Sequence, residues 1–377
     1  MNSVSIIIPN LNGQPMLEGC IGSIKSLEHE FNDLEIILVD NGSVDGSCYW
    51  LSQNHPEVKV ISLGENTGFS RAVNIGAQHA QGELLFFLNN DARVDPDCLT
   101  LLSEPILDEA AVCSSAQIIN QSRDTVHFDG GGMNFHGIAF QYREGEPFHV
   151  SSRAIEEALF PCGAAMMIRK EVFLEVGGFD ERFFAYFEDV DLGWRLRLLG
   201  YKIVYVPNAI ATHNQSRTSR FVNIDKLRVL HIRNPLIMVY KNYSDECLSC
   251  IWPVAWMLTV RRTRYLSHLD QSKFRIDHES HLADPHSDSP ATRSSMIEMP
   301  SLAVSDAIAM NDFLDWFPSI SQSRNQIQAK RKVADETLFS LFKDPFRYCE
   351  ADPQYQDLQD SLCTAFGVDR LFNGLVT

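Results

Sequence analysis

The sequence predicts a doubly wound α/β fold, with a mostly parallel sheet flanked by helices. Short runs of apolar and β-branched residues recur at positions 4–8, 35–39, 58–63 and 84–88. These runs are continuous rather than alternating, which is typical of strands buried on both faces of a parallel sheet. Helical patterns separate them, as at residues 16–27 and 69–79. Alternation of strand and helix of this kind indicates βαβ units.

Length and composition limit the architecture and the partners. A chain of 377 residues is long enough for one large domain and a smaller appendage. We expect a catalytic domain over residues 1–250 and a mainly helical region over 251–377, with a flexible linker at about 266–300 that is rich in Ser, His, Asp and Pro. The net charge of −17 argues against a nucleic-acid partner, because binding phosphates requires clustered Lys and Arg. Scattered cysteines and an N-terminus without a signal-peptide pattern predict a cytoplasmic protein.

The ends of the predicted strands carry polar side chains. In open parallel sheets ligands bind outside the carboxyl ends of the strands. Each of the four ends contains Asn or Asp: these ends are Pro9-Asn10-Leu11-Asn12-Gly13, Asp40-Asn41-Gly42-Ser43, Gly64-Glu65-Asn66-Thr67-Gly68 and Asn89-Asn90-Asp91. We therefore expect the binding site at this edge of the sheet.

Two of these ends allow more than one interpretation. Asp40 either forms a tight turn or accepts a hydrogen bond from a pyrimidine base. Asn66 or Thr67 is expected to cap the following helix, and the alternative is that the amides at the helix start bind an anion. The chain contains neither G-x-G-x-x-G after its first strand nor a G-x-x-x-x-G-K-[ST] motif, which argues against dinucleotide dehydrogenases and P-loop NTPases.

Asp91 and His213 are candidate metal ligands. A carboxylate at the end of a buried strand is costly to desolvate unless it meets donors, solvent or a cation. Mg²⁺ typically uses one or two carboxylates, and phosphate and water supply the other oxygens, so one Asp suffices if a diphosphate is bound. The alternatives are a turn for Asp91 and a structural role for His213.

Three carboxylates, Glu188, Asp189 and Asp191, occur within four residues at a predicted helix start. Acidic residues commonly stabilise the first turn of a helix. Close like charges also raise at least one pKa, which suits a general base near neutral pH.

Several segments taken together resemble family 2 of the glycosyltransferases, in the branch of rhamnosyltransferase-type enzymes that build bacterial surface polysaccharides. The similarity runs in order over about residues 3–245, through "VSIIIPNLNG", "IILVDNGSVDGS", "NTGFSRAVNIGA", "LLFFLNNDARVDPDCL", the long segment from "CGAAMMIRKEVF" to "NAIATH", and "RNPLIMVYKNY". A C-terminal segment, "IQAKRKVADETLFSLFKDPF", also resembles that branch. The resemblance implies a GT-A fold and inverting transfer of a sugar from a nucleotide diphosphate.

The resemblance also implies roles for individual residues. Asp189 falls on the catalytic base, with Glu188 beside it, while Asp91 and His213 fall on ligands of a divalent cation, Mg²⁺ or Mn²⁺. A nucleotide-sugar site would comprise Pro9, Asn12, Asp40, Asn66, Gly68, Asn74 and Asn90. The sequence departs from the family pattern at Asn89 and Asn90, where many relatives carry an additional Asp. Fewer carboxylates weaken metal affinity, although Asn carbonyls remain usable ligands.

The expected activity is transfer from dTDP-rhamnose or a UDP-sugar to a saccharide or lipid-linked saccharide. The acceptor is expected around residues 130–142 and after residue 214. The segment "IWPVAWM", with Arg261, Arg262 and Arg264 after it, is expected to contact a membrane surface. Two other functions stay open: a catalytically inactive nucleotide-sugar-binding scaffold of a polysaccharide assembly complex, and a nucleotidyltransferase on a similar scaffold.

Overall fold

The first half of the chain forms parallel strands joined by helices. The computed structural model describes residues 3–150, 152–214, 224–267 and 300–372. The strands are β1 (Ser3–Asn10), β2 (Asp33–Asp40), β3 (Lys59–Ser62) and β4 (Leu84–Leu88), and the helices between them are α1 (Gln14–Lys25), α2 (Ser47–Asn54) and α3 (Phe69–His79). β1 pairs in parallel with β2 and β4, and β2 pairs in parallel with β3. The apolar runs in β1, β2 and β4 are buried, as expected for a sheet covered on both faces, whereas most of the edge strand β3 is exposed.

The second half of the sheet is mixed. Its strands are β5 (Ala92–Val94), β6 (Cys113–Asn120), β7 (Val126–Phe128), β10 (Glu156–Glu157), β11 (Ala165–Arg169) and β12 (Ile203–His213), and helix α4 (Cys98–Leu107) follows β5. The strand order is β10-β12-β6-β11-β4-β1-β2-β3, with β5 paired to β12 and β7 to β6. β11 is antiparallel to both of its neighbours, β4 and β6. A separate hairpin consists of β8 (Gly131–Met133) and β9 (Ala139–Gln141).

Helix α6 (Glu188–Leu198) follows α5 (Lys170–Glu175) and a 3₁₀ turn at Glu181–Phe183. Nearly all of its residues are buried because the C-terminal part of the chain covers it. The Trp194 ring makes edge contacts with the rings of Tyr243, 4.7 Å away, and Phe342, 5.6 Å away. The helix whose first turn carries the candidate base is therefore packed between the sheet and the C-terminal part.

The described C-terminal part is helical, which confirms the predicted helical extension. Its helices are α7 (Ile224–Asn242), α8 (Asp245–Ser267), α9 (Ser301–Asp315), α10 (Phe317–Lys330), α11 (Asp335–Leu338), α12 (Pro353–Phe366) and α13 (Val368–Leu371), with a 3₁₀ turn at Phe339–Phe342. The predicted domain boundary at residue 250 falls within α8, and the division into two domains stays a prediction. Most of the predicted linker, residues 268–299, lies outside the described residues.

The segment "IWPVAWM" lies within α8, and its aromatic residues pack against other helices. The Trp252 ring lies 5.3 Å from the rings of both Tyr240 and Phe313. Arg261 and Arg262 form ion pairs with acidic residues of the C-terminal part, and the side chain of Arg264 lies outside the described residues. Within the described ranges, no helix combines the length and apolarity needed to cross a bilayer. The contacts of this segment thus give no support to the predicted membrane contact.

Candidate active site

The ends of β1, β2 and β4 meet through amide side chains. Asn90 Nδ2 donates to Asn10 Oδ1 at 2.7 Å, and Asn10 Nδ2 lies 3.4 Å from Asp40 Oδ1. All three residues are buried. Gly13 allows this arrangement, since a Cβ at that position would collide with both Asn90 Nδ2 and Asn10 Oδ1. The predicted site residues Asp40 and Asn90 are thereby joined through Asn10, which was not among the predicted site residues.

Asp40 keeps capacity to accept further hydrogen bonds. The hydrogen bonds that it accepts from Asn10 and Ser43 are long: 3.4 Å from Asn10 Nδ2 to Oδ1, and 3.3 Å from the Ser43 N–H to Oδ2. Bonds of this length are weaker than the usual 2.9–3.0 Å. A donor on a pyrimidine base would therefore find an incompletely bonded carboxylate at the end of β2.

Asn12 and Pro9 flank this corner. Asn12, at φ 51°, accepts the Val44 N–H on Oδ1 at 2.8 Å, and its own N–H donates to Ser43 Oγ at 2.9 Å. Pro9 lies within β1 opposite Val39 and is half-buried. The structure thus places Asn12 beside the residues that follow Asp40.

Asn41 connects β2 to the loop before α3. Its Oδ1 accepts the Thr67 N–H at 2.8 Å, and its Nδ2 donates to Asn66 Oδ1 and to the Gly68 carbonyl, both at 3.1 Å. The predicted capping of α3 by Asn66 or Thr67 is wrong: the N-cap is Gly68, at φ 89°, and no side chain caps the helix. A positive φ favours glycine at this position, and the Asn66 side chain instead accepts the Gly68 N–H at 3.0 Å.

Asn74 lies one turn further into α3, and its amide group is used internally. Its Nδ2 donates to the Phe179 carbonyl at 2.9 Å, and its Oδ1 accepts the Phe179 N–H at 2.9 Å. The side chain also lies 3.2 Å from Glu181 Oε1. These contacts join α3 to the segment before α6, so the structure does not bring Asn74 to the corner formed by Asn10, Asp40 and Asn90.

Asp91 and His213 are neighbours although 122 positions separate them in the chain. Strand β5 follows Asp91 directly and pairs with the end of β12, where Ala92 lies opposite His213. His213 Nε2 lies 2.9 Å from Asp91 Oδ1 and 3.1 Å from Asn89 Nδ2. The Asp91 side chain is 3% exposed and the His213 side chain 17%, so solvent reaches the imidazole edge of the pair.

One carboxylate and one imidazole fit a divalent cation only in part. No group of three His, Cys, Asp or Glu side chains among the described residues is arranged to hold a metal ion. A cation at Asp91 and His213 would need oxygen atoms from a diphosphate or water to complete its coordination, as Mg²⁺ usually does.

Glu188 and Asp189 form a carboxyl pair at the start of α6. Asp189 Oδ2 accepts the Gly163 N–H at 2.8 Å, while Oδ1 accepts the Val190 N–H at 2.8 Å. Glu188 is buried, and its Oε2 has no hydrogen-bond partner in the described part of the chain. Burial, and then the charge of Asp189, raises the pKa of Glu188 to about 8, and burial also raises the pKa of Asp189. Both groups thus bind protons more strongly than ordinary carboxyls.

A short segment places this pair next to the end of β4. Gly163 donates its N–H to Asp189, and the carbonyl of the next residue, Ala164, accepts the Asn89 N–H at 3.0 Å. The segment then continues into β11, which pairs with β4. The carboxyl pair and the turn that carries Asp91 are therefore held by adjacent residues.

Asp191 does not belong to the carboxyl pair. It is fully buried, and it accepts hydrogen bonds from Arg195 Nε at 2.8 Å and Asn242 Nδ2 at 3.0 Å, with Lys241 Nζ 3.0 Å away. Burial acts to raise its pKa, but the charges of Lys241 and Arg195 hold that pKa below its ordinary value. The expected raised pKa occurs in Glu188 and Asp189, with burial as its main cause, whereas Asp191 takes no part because it faces a network of cations on α6 and α7.

Comparison with known proteins identifies similar glycosyltransferases. The model for glycosyl transferase family 2 matches residues 5–177. The chain is 29% identical over 236 residues to N-acetylglucosaminyl-diphospho-decaprenol L-rhamnosyltransferase of Mycobacterium tuberculosis, a match that covers 54% of this chain and 74% of that protein. It is 30% identical over 227 residues to the O-antigen biosynthesis protein RfbC of Myxococcus xanthus, covering 58% of this chain and 18% of RfbC.

Solved structures show the same fold. The crystal structure of GalNAc-T7 with UDP, GalNAc and Mn²⁺ matches with a TM-score of 0.54 and 18% identity, over 74% of this chain and 54% of that chain. The structure of S. aureus TarS 1–349 in complex with UDP-GlcNAc matches with a TM-score of 0.51 and 14% identity, over 98% of this chain and 91% of that chain. Residues 5–177 thus match a glycosyl transferase family 2 domain, and the chain is a glycosyltransferase with a GT-A fold.

Proposed function

We propose that this glycosyltransferase moves a sugar, with inversion, from a nucleotide diphosphate to a hydroxyl of a saccharide or lipid-linked saccharide. The observation that carries the proposal is the carboxyl pair Glu188–Asp189, which has no cationic partner among the described residues and is held beside the turn of Asp91. A carboxyl of raised pKa is suited to remove a proton near neutral pH.

In the proposed reaction, Asp189 takes the proton from the acceptor hydroxyl as that oxygen attacks the anomeric carbon. The bond from the anomeric carbon to the diphosphate oxygen breaks on the opposite face of the sugar, and the diphosphate leaves with the bonding electrons. One displacement of this kind inverts the anomeric configuration. It requires one base and no covalent nucleophile.

The nucleotide would lie at the corner of Asn10, Asp40 and Asn90. Asp40 would accept a hydrogen bond from the base, and the Asn66–Gly68 loop would border the nucleoside. Asp91 and His213 would hold a divalent cation together with the diphosphate. Such a cation, when bound, stabilises the negative charge that develops on the leaving group.

The Mycobacterium relative is named as an L-rhamnosyltransferase whose acceptor is linked to a lipid diphosphate. We therefore place dTDP-rhamnose beside the UDP-sugars as candidate donors, and lipid-linked saccharides as candidate acceptors. Because lipid-linked acceptors lie in a membrane, an enzyme that uses them would work at the cytoplasmic face of that membrane.

The donor is tested by a thermal-shift screen of nucleotide sugars with and without Mn²⁺, because a ligand that binds only the folded state raises the melting temperature. The expected result is a rise with dTDP-rhamnose or one UDP-sugar that is larger with Mn²⁺. Release of nucleoside diphosphate upon addition of an acceptor would distinguish a transferase from a donor-binding scaffold. No shift with any nucleotide sugar would contradict the proposed donor site.

Asp91→Ala tests the cation site. The substitution removes the carboxylate of a two-residue site, so donor affinity in the presence of Mn²⁺ should fall by about tenfold or more. Titration calorimetry with the donor, with Mn²⁺ and with EDTA, measures the effect. The matched control is Asp108→Asn, an exposed acid at the end of α4, which should leave donor affinity unchanged. Equal donor affinity and rate in EDTA would remove the cation from the proposal.

A further inference from the structure

The segment that precedes the carboxyl pair has an unusual backbone. Phe184, Tyr186 and Phe187 have φ values of 62°, 67° and 68°, a region that side chains other than glycine rarely adopt. The Ala185 N–H donates to the Phe183 carbonyl at 2.6 Å, which closes a γ-turn around Phe184 at ψ −59°. Turns of this hand are rare and strained. This backbone persists only if its surroundings hold it.

Residues 183–187, the strained segment, contact two parts of the proposed site. One end touches the Asn66–Gly68 loop and the start of α3, called here the donor loop, and the other end leads into the carboxyl pair. The Phe184 carbonyl accepts the Ser70 N–H at 3.2 Å, in the first turn of α3. A Cβ added to Gly68 would lie 2.7 Å from that carbonyl oxygen, so the two backbones are in close contact. Phe187 is the N-cap of α6, and Glu188 follows it directly. The distance between the donor loop and the carboxyl pair is therefore set by residues 183–187.

One buried side chain of α7 holds this segment. Asn234 is 0% exposed, and its Nδ2 lies 3.0 Å from the carbonyl oxygens of Phe183 and Ala185 and 2.9 Å from that of Tyr186. Carbonyls that leave regular structure inside a protein need donors from elsewhere, and here a single amide serves three. The neighbouring residue, Arg233, adds a hydrogen bond of 3.1 Å to the carbonyl of Arg182.

We propose that Asn234 is a positioning residue. By holding residues 183–187 in their strained form, it fixes the distance between Asp189 and the donor loop. It acts through the backbone and not on the substrate. The inference rests on the proposed function, since it assigns Asn234 to the geometry of the same reaction.

The test compares Asn234→Ala with a matched control, Gln328→Ala. Gln328 of α10 also directs one amide nitrogen at three carbonyls, those of Lys241, Asn242 and Tyr243, at 2.9, 3.3 and 3.1 Å, but these lie at the far end of α7. Both variants should lose thermal stability. Only Asn234→Ala should lose turnover, by about 10²-fold, because a misplacement of about 1 Å has an effect of that size.

The measurements are kcat, the dissociation constant of the donor nucleotide and the melting temperature, at a temperature where both variants are folded. For Asn234→Ala, donor affinity should change by less than about threefold, because Asp40 and Asn10 are untouched, while kcat falls. For Gln328→Ala, kcat should stay within about threefold of the wild type. If Asn234→Ala does not fold, Asn234→Ser is compared with Gln328→Ala instead, because serine keeps one hydrogen-bond donor.

Two results would overturn the inference: a folded Asn234 variant with wild-type kcat, or loss of kcat in both variants in proportion to the loss of melting temperature. Asp189→Asn is measured in parallel. Full activity of Asp189→Asn would contradict the base assignment of the proposed function. An inactive Asp189→Asn beside a fully active Asn234→Ala would contradict only the role of Asn234.

Discussion

The first turn of α6 places carboxyl groups in two opposite environments. Asp189 accepts the N–H groups of Gly163 and Val190, Glu188 beside it keeps Oε2 without a hydrogen-bond partner, and neither meets a cation in the described part of the chain. Asp191, two residues further on, is enclosed by Lys241, Arg195 and Asn242. The pKa is raised for the first two groups and lowered for the third.

This difference shows that burial alone does not decide what a carboxyl group does. A buried acid with two cations nearby is held ionised and joins helices together, whereas a buried acid without them keeps a high proton affinity. A group of the second kind is a candidate for chemistry, and one of the first kind is a structural element. The three variants below test this contrast, in order of decreasing expected effect.

Asp189→Asn should show the largest effect, on rate. Loss of a general base lowers turnover by about 10²- to 10⁴-fold. An asparagine oxygen can still accept one of the two N–H groups that Asp189 accepts, from Gly163 or Val190, so the fold and donor binding should be kept at a small loss of stability. Initial rates of nucleoside diphosphate release, together with donor titration, measure both quantities. Wild-type turnover in this variant would place the base elsewhere.

Asp191→Asn should instead affect stability. The substitution leaves the fully buried Lys241 and the buried Arg195 with one fewer charged partner, and breaking a buried pair in this way costs about 3–5 kcal/mol. Denaturant unfolding of this variant and of Asp189→Asn gives the comparison, and the latter should change by much less. If the two variants were equally stable, the distinction between the two environments would not hold.

Glu188→Gln should change how stability depends on pH. The pKa of Glu188 is about 8 in the folded chain against an ordinary 4.5, so its ionisation opposes folding. Stability of the wild type should therefore fall as the pH rises from about 5 to 8, and part of this slope should disappear in Glu188→Gln. Melting temperatures at four pH values would measure it. Parallel curves for the two proteins would show that Glu188 titrates normally.

The sequence predicts the sheet well where strands are continuous and apolar. Two predicted ranges, Phe69–His79 and Leu84–Leu88, coincide with α3 and β4. The antiparallel insertion of β11 between β4 and β6 was not predicted, since its apolar run looks like that of any buried strand. Pairing partners depend on contacts between residues far apart in the chain, which a local pattern does not contain.

The candidate site shows the same limit. The strand ends identify Asp40, Asn90 and Asp91 as candidates because polar side chains there are unexpected. Asn10 and Asn41 stood in the same predicted ends, and only their hydrogen bonds distinguish them as the connecting residues. Asn234 carries no local signal of its role, because that role is defined by three carbonyls about 50 residues earlier in the chain.

Gly13 carries no functional group, yet it lies against the side chains of Asn10 and Asn90 with no room for a methyl group. Any other residue at this position would separate the amides that join the ends of β1 and β4. In a library of all single substitutions selected for activity, we expect position 13 to accept almost nothing but glycine, as strictly as position 189 accepts aspartate. Intolerance to mutation would then identify a position where the side chain must be absent, as well as a position where a reactive group is required.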